Sequence, residues 1–194
     1  MTEDREIHSG IRYSIRVRSL VRRDGATEER AYIRHPGAVV IIPVTENGGL
    51  VLIQNFRFVV GKPLWEVPAG TLEPGEAILA AAKRELREET GYTAHHWAHC
   101  LTYLAAPAMS DEKMHVFIAA ELCPGKPHLQ PDEDLTAAAL TAEEIDRLEA
   151  EGQIVDGKTL LALSLWRRWK AGERLGADRK EQTSGGQALD HTET

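Results

Sequence analysis

GTLEPGEAILAAAKRELREETGY, residues 70–92, is the stretch on which the fold turns. From residue 76 to 90 its apolar residues Ile78, Leu79, Ala82 and Leu86 recur at spacings of three and four, which predicts one buried face of an α-helix. Gly91 ends that helix, since a left-handed C-terminal position suits glycine. Glu85, Glu88 and Glu89 stand at i, i+3 and i+4, so a helix stacks three carboxylates on neighbouring turns of one face. Like charges held so close repel. A divalent cation removes the penalty, because hard oxygen donors suit magnesium or manganese. Taken alone, the same trio also reads as a solvated acidic face supported by Lys83, Arg84 and Arg87.

Working outward, residues 13–18 alternate, the turn Arg23-Asp24-Gly25 follows, and residues 30–34 return, which predicts an N-terminal hairpin with one polar face. Two apolar runs, 38–44 and 50–54, flank the turn Glu46-Asn47-Gly48-Gly49 and predict a buried hairpin. Pro63, Pro68 and Gly70 punctuate a loop with a short strand over 65–67. Further strands are expected over 97–103 and 115–122, with the loop AAPAMSDEK (105–113) between them. Thr141 and Glu144 form a capping box for a helix ending near Gly152. Asp156 caps a second helix that carries Leu160, Leu161, Leu163 and Trp166 towards Lys170. The organisation expected is N-terminal strands over 1–36, one catalytic-sized domain over 37–172, and a polar, mobile tail over 173–194.

A net charge of −7 over 194 residues argues against nucleic acid or an anionic membrane as the main partner. An acidic protein that handles phosphate needs bound cations. The charged first ten residues, MTEDREIHSG, lack an apolar h-region, no apolar run is long enough to cross a bilayer, and the two cysteines, Cys100 and Cys123, suit a reducing compartment; a cytoplasmic protein is expected. His95, His96, His99 and Cys100 lie on a predicted strand, where alternate side chains diverge, so no closed zinc site is expected there.

Gly70, then Glu76, then Arg84-Glu85-Leu86, Glu88-Glu89 and Gly91-Tyr92 resemble a complete Nudix box. Seven fixed residues at about 7% each coincide by chance roughly once in 10⁸ positions, so the match is not accidental. The resemblance implies an α/β (α+β) fold, a Nudix α/β/α sandwich with a mixed β-sheet, here preceded by the N-terminal β-hairpin. It implies a Mg²⁺ or Mn²⁺ cofactor held by Glu85 and Glu89, with Glu88 assisting and the Ala69 carbonyl contributing. Gly70 would let the backbone turn so that this carbonyl faces the metal, and Arg84 would pair with Glu76 to fix helix to loop.

The flanks HPGAVVIIPV, LIQNFR and LWEVPAG, with Pro107 sixteen residues past Gly91, resemble the ADP-ribose pyrophosphatase branch. That likeness implies cleavage of ADP-ribose to AMP and ribose 5-phosphate. A broader nucleoside diphosphate sugar hydrolase is the nearest alternative, and a non-catalytic nucleotide sensor the alternative of another kind. It also implies Arg57, Glu66, Pro107 and Glu112 at the substrate, with Arg57 forking onto a phosphate and Glu112 on metal or distal sugar. Arg84 and Glu88 join the catalytic group. The general base is expected from the acidic loop 130–135, at Glu133, with Asp132 and Asp134 as alternatives. Phe56, Phe58 and Trp65 stack on a base or pack in the core. Two departures are visible: Ala108 where relatives carry glycine, and Gln54 where they carry a basic residue. The branch also implies a homodimer built through the N-terminal strands.

Overall fold

The computed structural model describes residues 4–129 and 134–175. The described residues form three sheets. The first joins β1 (Asp4–Ser9), β2 (Ser14–Val21) and β3 (Thr27–Arg34). The central one has the order β7 (Ala69–Thr71), β4 (Ala38–Pro43), β9 (Lys113–Cys123), β8 (Thr93–Leu104), and the third runs β10 (Leu135–Leu140), β5 (Leu50–Arg57), β6 (Lys62–Glu66). The central sheet is mixed, because β4 pairs in parallel with β9 and antiparallel with β7.

β4 shows why the layers stack as they do. All six of its residues are buried, as a strand covered on both faces requires. Val39 and Ile41 point to one side and pack with Ala81, Ala82 and Leu86 of α1 (Ile78–Thr90) and with Phe117. Val40 and Ile42 point to the other and join Leu50 and Leu52 of β5, Ile145 of α2 (Ala142–Ala150) and Leu163 and Trp166 of α3 (Gly157–Lys170). Period-two alternation thus builds two hydrophobic layers around one sheet, the α/β/α sandwich expected from the sequence.

Several local expectations need correcting. The apolar runs around Asn47-Gly48 do not form one hairpin: after a single bridge between Val44 and Leu50, β4 and β5 enter different sheets and face each other across the core. Both edges of β4 are already taken by β7 and β9, so β5 pairs with β6 and β10 instead. The N-terminal hairpin gains a third strand, β1, whose six residues are all exposed and carry no burial pattern to read. In α1, Leu79 turns outward and Ala81 takes the buried place. The helix starts at Ile78 rather than at Glu76, whose carboxylate instead accepts from the Glu73 N–H.

The helix ends behave as the sequence indicates. Gly91 sits at φ 78°, and its N–H donates to the Arg87 carbonyl. Thr141 and Glu144 exchange both capping-box bonds, at 3.2 and 2.8 Å. Asp156 caps α3 by accepting from the Thr159 N–H at 3.0 Å. Leu163 and Trp166 of α3 are buried, whereas Leu160 faces solvent. No described helix is long and apolar enough to cross a membrane.

Candidate active site

A cleft of about 1240 Å³ opens between α1, the β5–β6 hairpin and the loop after β7. Seven residues expected at the site line it: Arg57, Glu66, Ala69, Arg84, Glu85, Glu88 and Glu89. α1 delivers its carboxylates to the cleft floor, and β7 lays a backbone edge beside them. The Ala69 N–H donates to Glu89 Oε2 at 3.0 Å. Glu85 and Glu89 are buried, at 6% and 3% exposure.

Gly70 is required here for a reason other than a turn. It lies within β7, opposite Val39, and it is not among the glycines of positive φ. A Cβ built on it would fall less than 3.0 Å from the Glu85 carboxylate carbon and both its oxygens. The missing side chain is the space the Glu85 carboxylate occupies.

Arg84 organises the trio. Its guanidinium binds Glu76 through Nε and Nη2, both at 3.0 Å, and reaches Glu85 at 2.7 Å and Glu88 at 3.2 Å through Nη1. Nη2 also donates to the Thr71 carbonyl at 3.3 Å. The bond to Glu76, more than the nearby Glu85 charge, raises the arginine's pKa further above its ordinary value. The same bond holds the Glu76 carboxyl below the usual carboxylate range. One cation therefore ties the loop before the helix to two of the box carboxylates.

Among the described residues no three His, Cys, Asp or Glu side chains close on a common point as a finished metal cage. The donor set nonetheless suits a hard cation. Two buried carboxylates, a third beside them and the adjacent β7 backbone are the kind of partial oxygen shell that Mg²⁺ completes with water and substrate phosphate. The histidine-rich strand holds no such cluster. His95 reaches Cys123 at 3.3 Å, whereas His99 and His115 share the Thr102 hydroxyl on another part of the sheet. Cys100 is buried, and desolvation pushes its thiol up to about 11.

The opposite wall carries two cations, each bonded to a carboxylate. Arg57 faces Glu66 with Nε and Nη2 at 2.7 and 2.6 Å, so the forked edge expected to grip a phosphate is already used by a carboxylate. Those bonds, opposed by desolvation, raise the arginine's pKa, and the Glu89 charge adds to the rise. Glu66 is only 1% exposed, and a side chain absent from the sequence-based candidates, Lys158, also binds its Oε2. Lys158 Nζ further donates to Asp156 Oδ2 at 3.0 Å. One signal pointed to Lys158: a lysine in the first turn of α3 opposes the helix dipole unless acids pair with it.

Other expected residues lie elsewhere. Pro107 is exposed on the β8–β9 loop, and Glu112 Oε1 lies 3.5 Å from His35 Nδ1, which accepts from the Gly37 N–H; neither Pro107 nor Glu112 lines this chain's cleft. Their loop is instead sewn to β3, through the Ile33 N–H to the Met109 carbonyl and through Arg34 to Asp111. Gln54 is not among the residues that line the cleft either; in β5 it stands in register with Thr136 of β10. Phe56 and Phe58 line the cleft, whereas Trp65 packs against the core. Ile11 and Arg12, from the turn between β1 and β2, reach the cleft of their own chain. Glu133 and Asp132 fall outside the described residues; the neighbouring Asp134 carbonyl accepts from the Phe56 N–H at 3.0 Å, beside the cleft.

Comparison with known proteins agrees with this geometry. The chain is 34% identical over 160 residues to the ADP-ribose pyrophosphatase of Bacillus subtilis (strain 168), covering 81% of this chain and 86% of the relative. It is 33% identical over 153 residues to the ADP-ribose pyrophosphatase of Mycobacterium tuberculosis (strain ATCC 25618 / H37Rv), covering 77% and 74%. A solved ADP compounds hydrolase superposes with a TM-score of 0.74 at 23% identity, over 89% of this chain and 94% of that one, a likeness of fold. The NUDIX domain pattern matches residues 34–163, which span β4 to α3 and every residue of the cleft except Ile11 and Arg12. With its sandwich, its carboxylate-bearing helix and these relatives, the chain belongs to the NUDIX domain family and is a Nudix hydrolase.

Proposed function

We propose that the chain hydrolyses the diphosphate bond of ADP-ribose, giving AMP and ribose 5-phosphate, with Mg²⁺ or Mn²⁺ bound at the α1 carboxylates. The observation that carries this reading is the pairing, within one cleft, of buried Glu85 and Glu89 with Arg57 on the facing wall, whose guanidinium keeps donors beyond the two that Glu66 takes. The relatives named for ADP-ribose pyrophosphatase support the substrate.

In this reading Glu85 and Glu89 hold the cation, Glu88 assists, and the Ala69 carbonyl contributes from β7. A divalent cation bound there neutralises phosphate charge and lowers the pKa of an attacking water. Arg84 keeps the carboxylates aligned and joins Glu88 in the catalytic group. Arg57 offers its remaining donors to a phosphate oxygen, and Phe56 and Phe58 supply faces on which a base stacks. Water adds across the P–O–P bridge: its oxygen goes to one phosphorus, and the bridging oxygen leaves with the other. Phosphoryl chemistry of this kind depends on positioning and charge more than on covalent help.

Glu133 is assigned as the general base by likeness to relatives that draw it from an acidic loop after the box; the described residue next to it, Asp134, is bonded to Phe56 of the cleft. Glu133→Gln is expected to lower kcat by about a hundredfold with little change in KM. A larger loss from Asp132→Asn or Asp134→Asn moves the assignment. Glu112 and Pro107 reach a substrate only across a homodimer built through the β1–β3 sheet. A dimer mass by light scattering at micromolar concentration supports that assembly, and a monomer rejects it. A cytoplasmic location goes with this chemistry and with the cysteines, which are unbridged.

A substrate panel tests the specificity. With ADP-ribose, ADP-glucose, UDP-glucose, FAD, NADH and diadenosine polyphosphates, kcat/KM is expected to favour ADP-ribose by about tenfold or more. Comparable cleavage of several diphosphate sugars makes the chain a broader hydrolase.

A further inference from the structure

Glu66, Arg57, Lys158 and Asp156 form a network that spans the wall of the cleft facing the box helix. Its centre is unusual. One oxygen of a 1%-exposed carboxylate, Glu66 Oε2, accepts from both Arg57 Nη2 and Lys158 Nζ. Two like charges brought onto one oxygen repel, and burying all three groups carries a desolvation cost. A single cation would have neutralised Glu66. The second is retained by Asp156, which takes Lys158 at 3.0 Å while it caps α3 and accepts from the Thr159 hydroxyl at 2.6 Å.

The anchoring continues to the metal side of the cleft. The Thr159 hydroxyl accepts from the Val67 N–H at 3.0 Å, and Val67 leads directly into Ala69 and Gly70. The first turn of α3 is thus fastened to the same backbone segment that meets Glu85 and Glu89. The two cations and those carboxylates line the same cleft.

Both cations keep donors that the network does not consume. An ammonium carries three N–H groups, and Glu66 and Asp156 take two. The guanidinium carries five, of which the Glu66 fork takes two. Both side chains line the cleft, Lys158 at 11% and Arg57 at 37% side-chain exposure. An anion there meets the spare N–H donors of two cations whose charge Glu66 and Asp156 balance, so it is held by directed, charge-assisted hydrogen bonds rather than by net attraction.

We infer that Lys158 and Arg57 form a two-cation clamp for one phosphate group of the substrate's diphosphate. In this clamp Glu66 is a positioning residue rather than a substrate contact. The inference rests on the reading of this cleft as a diphosphate site, but its test does not use hydrolysis. The probe is inorganic pyrophosphate, titrated calorimetrically into the metal-free full chain in EDTA.

Wild type is expected to bind the probe, Lys158→Met to bind it about tenfold more weakly, and Lys158→Arg to stay within about threefold of wild type. A merely structural tie predicts instead that Lys158→Met lowers Tm and leaves the pyrophosphate Kd unchanged; that result overturns the clamp. Should Lys158→Met not fold, the Lys158 side-chain resonance of the wild type is followed by NMR as pyrophosphate is added. A shift supports the clamp and its absence overturns it. Wild type that hydrolyses ADP-ribose but binds no pyrophosphate in EDTA rejects the clamp alone. Pyrophosphate binding that depends on Lys158, without ADP-ribose hydrolysis, keeps the clamp and rejects the substrate.

Discussion

Gly70→Ala is expected to lower kcat by at least about a hundredfold and to reduce Tm by several degrees, although it adds only one methyl group. The new Cβ would lie inside the Glu85 carboxylate, which is itself buried and bonded to Arg84. Neither neighbour yields easily. β7 is held by its pairing to β4, and Glu85 cannot withdraw without breaking the Arg84 bond that also orders Glu88 and Glu76. Overpacking of this kind costs about 1–3 kcal/mol, and displacement of a metal-holding carboxylate adds the catalytic loss. Thermal denaturation and steady-state kinetics read the two effects separately. Wild-type kcat in this variant would show that Glu85 does not work from its place against Gly70.

Glu89→Gln is expected to abolish turnover, again by about a hundredfold or more, while leaving the fold in place. The amide is nearly isosteric, and its oxygen can still accept from the Ala69 N–H that now reaches Glu89 Oε2. What is lost is the charge, in a pocket where the side chain is 3% exposed. Mn²⁺ affinity measured without substrate should fall in parallel, with circular dichroism unchanged. Retention of more than about a tenth of wild-type kcat would remove Glu89 from the metal set.

The division between what could and could not be read in the sequence follows contact distance along the chain. The box was legible because its chemistry is local: helix geometry brings Glu85, Glu88 and Glu89 to one face, and Arg84 has only to reach back eight residues to Glu76 in the loop before the helix. The caps at Thr141, Asp156 and Gly91 are local for the same reason. The apolar run of β4 announced a buried strand, but its parallel partner β9 lies far downstream, and no short-range pattern marks the pairing. The Asn47-Gly48 turn suggested a regular hairpin, and competition for the edges of β4 overruled it. β1 left no trace, since a strand exposed along its whole length has no alternation to show.

The site's second wall was hidden for the same reason. Glu66 and Lys158 are 92 residues apart, and Asp156 had already been accounted for as a helix cap. At Gly70 the sequence suggests a turn where the structure has close packing against the Glu85 carboxylate, and composition alone does not tell the two apart. Arg57 lines the cleft, and its engagement with Glu66 leaves no mark in the sequence.

The central claim is metal-dependent cleavage at the α1 carboxylates, and the most direct test is chromatographic product analysis of ADP-ribose incubated with the full chain in EDTA and after adding back Mg²⁺ or Mn²⁺. No products are expected in EDTA, and equimolar AMP and ribose 5-phosphate once the metal is restored. Undiminished cleavage in EDTA, or intact ADP-ribose in the presence of both metals, would contradict it.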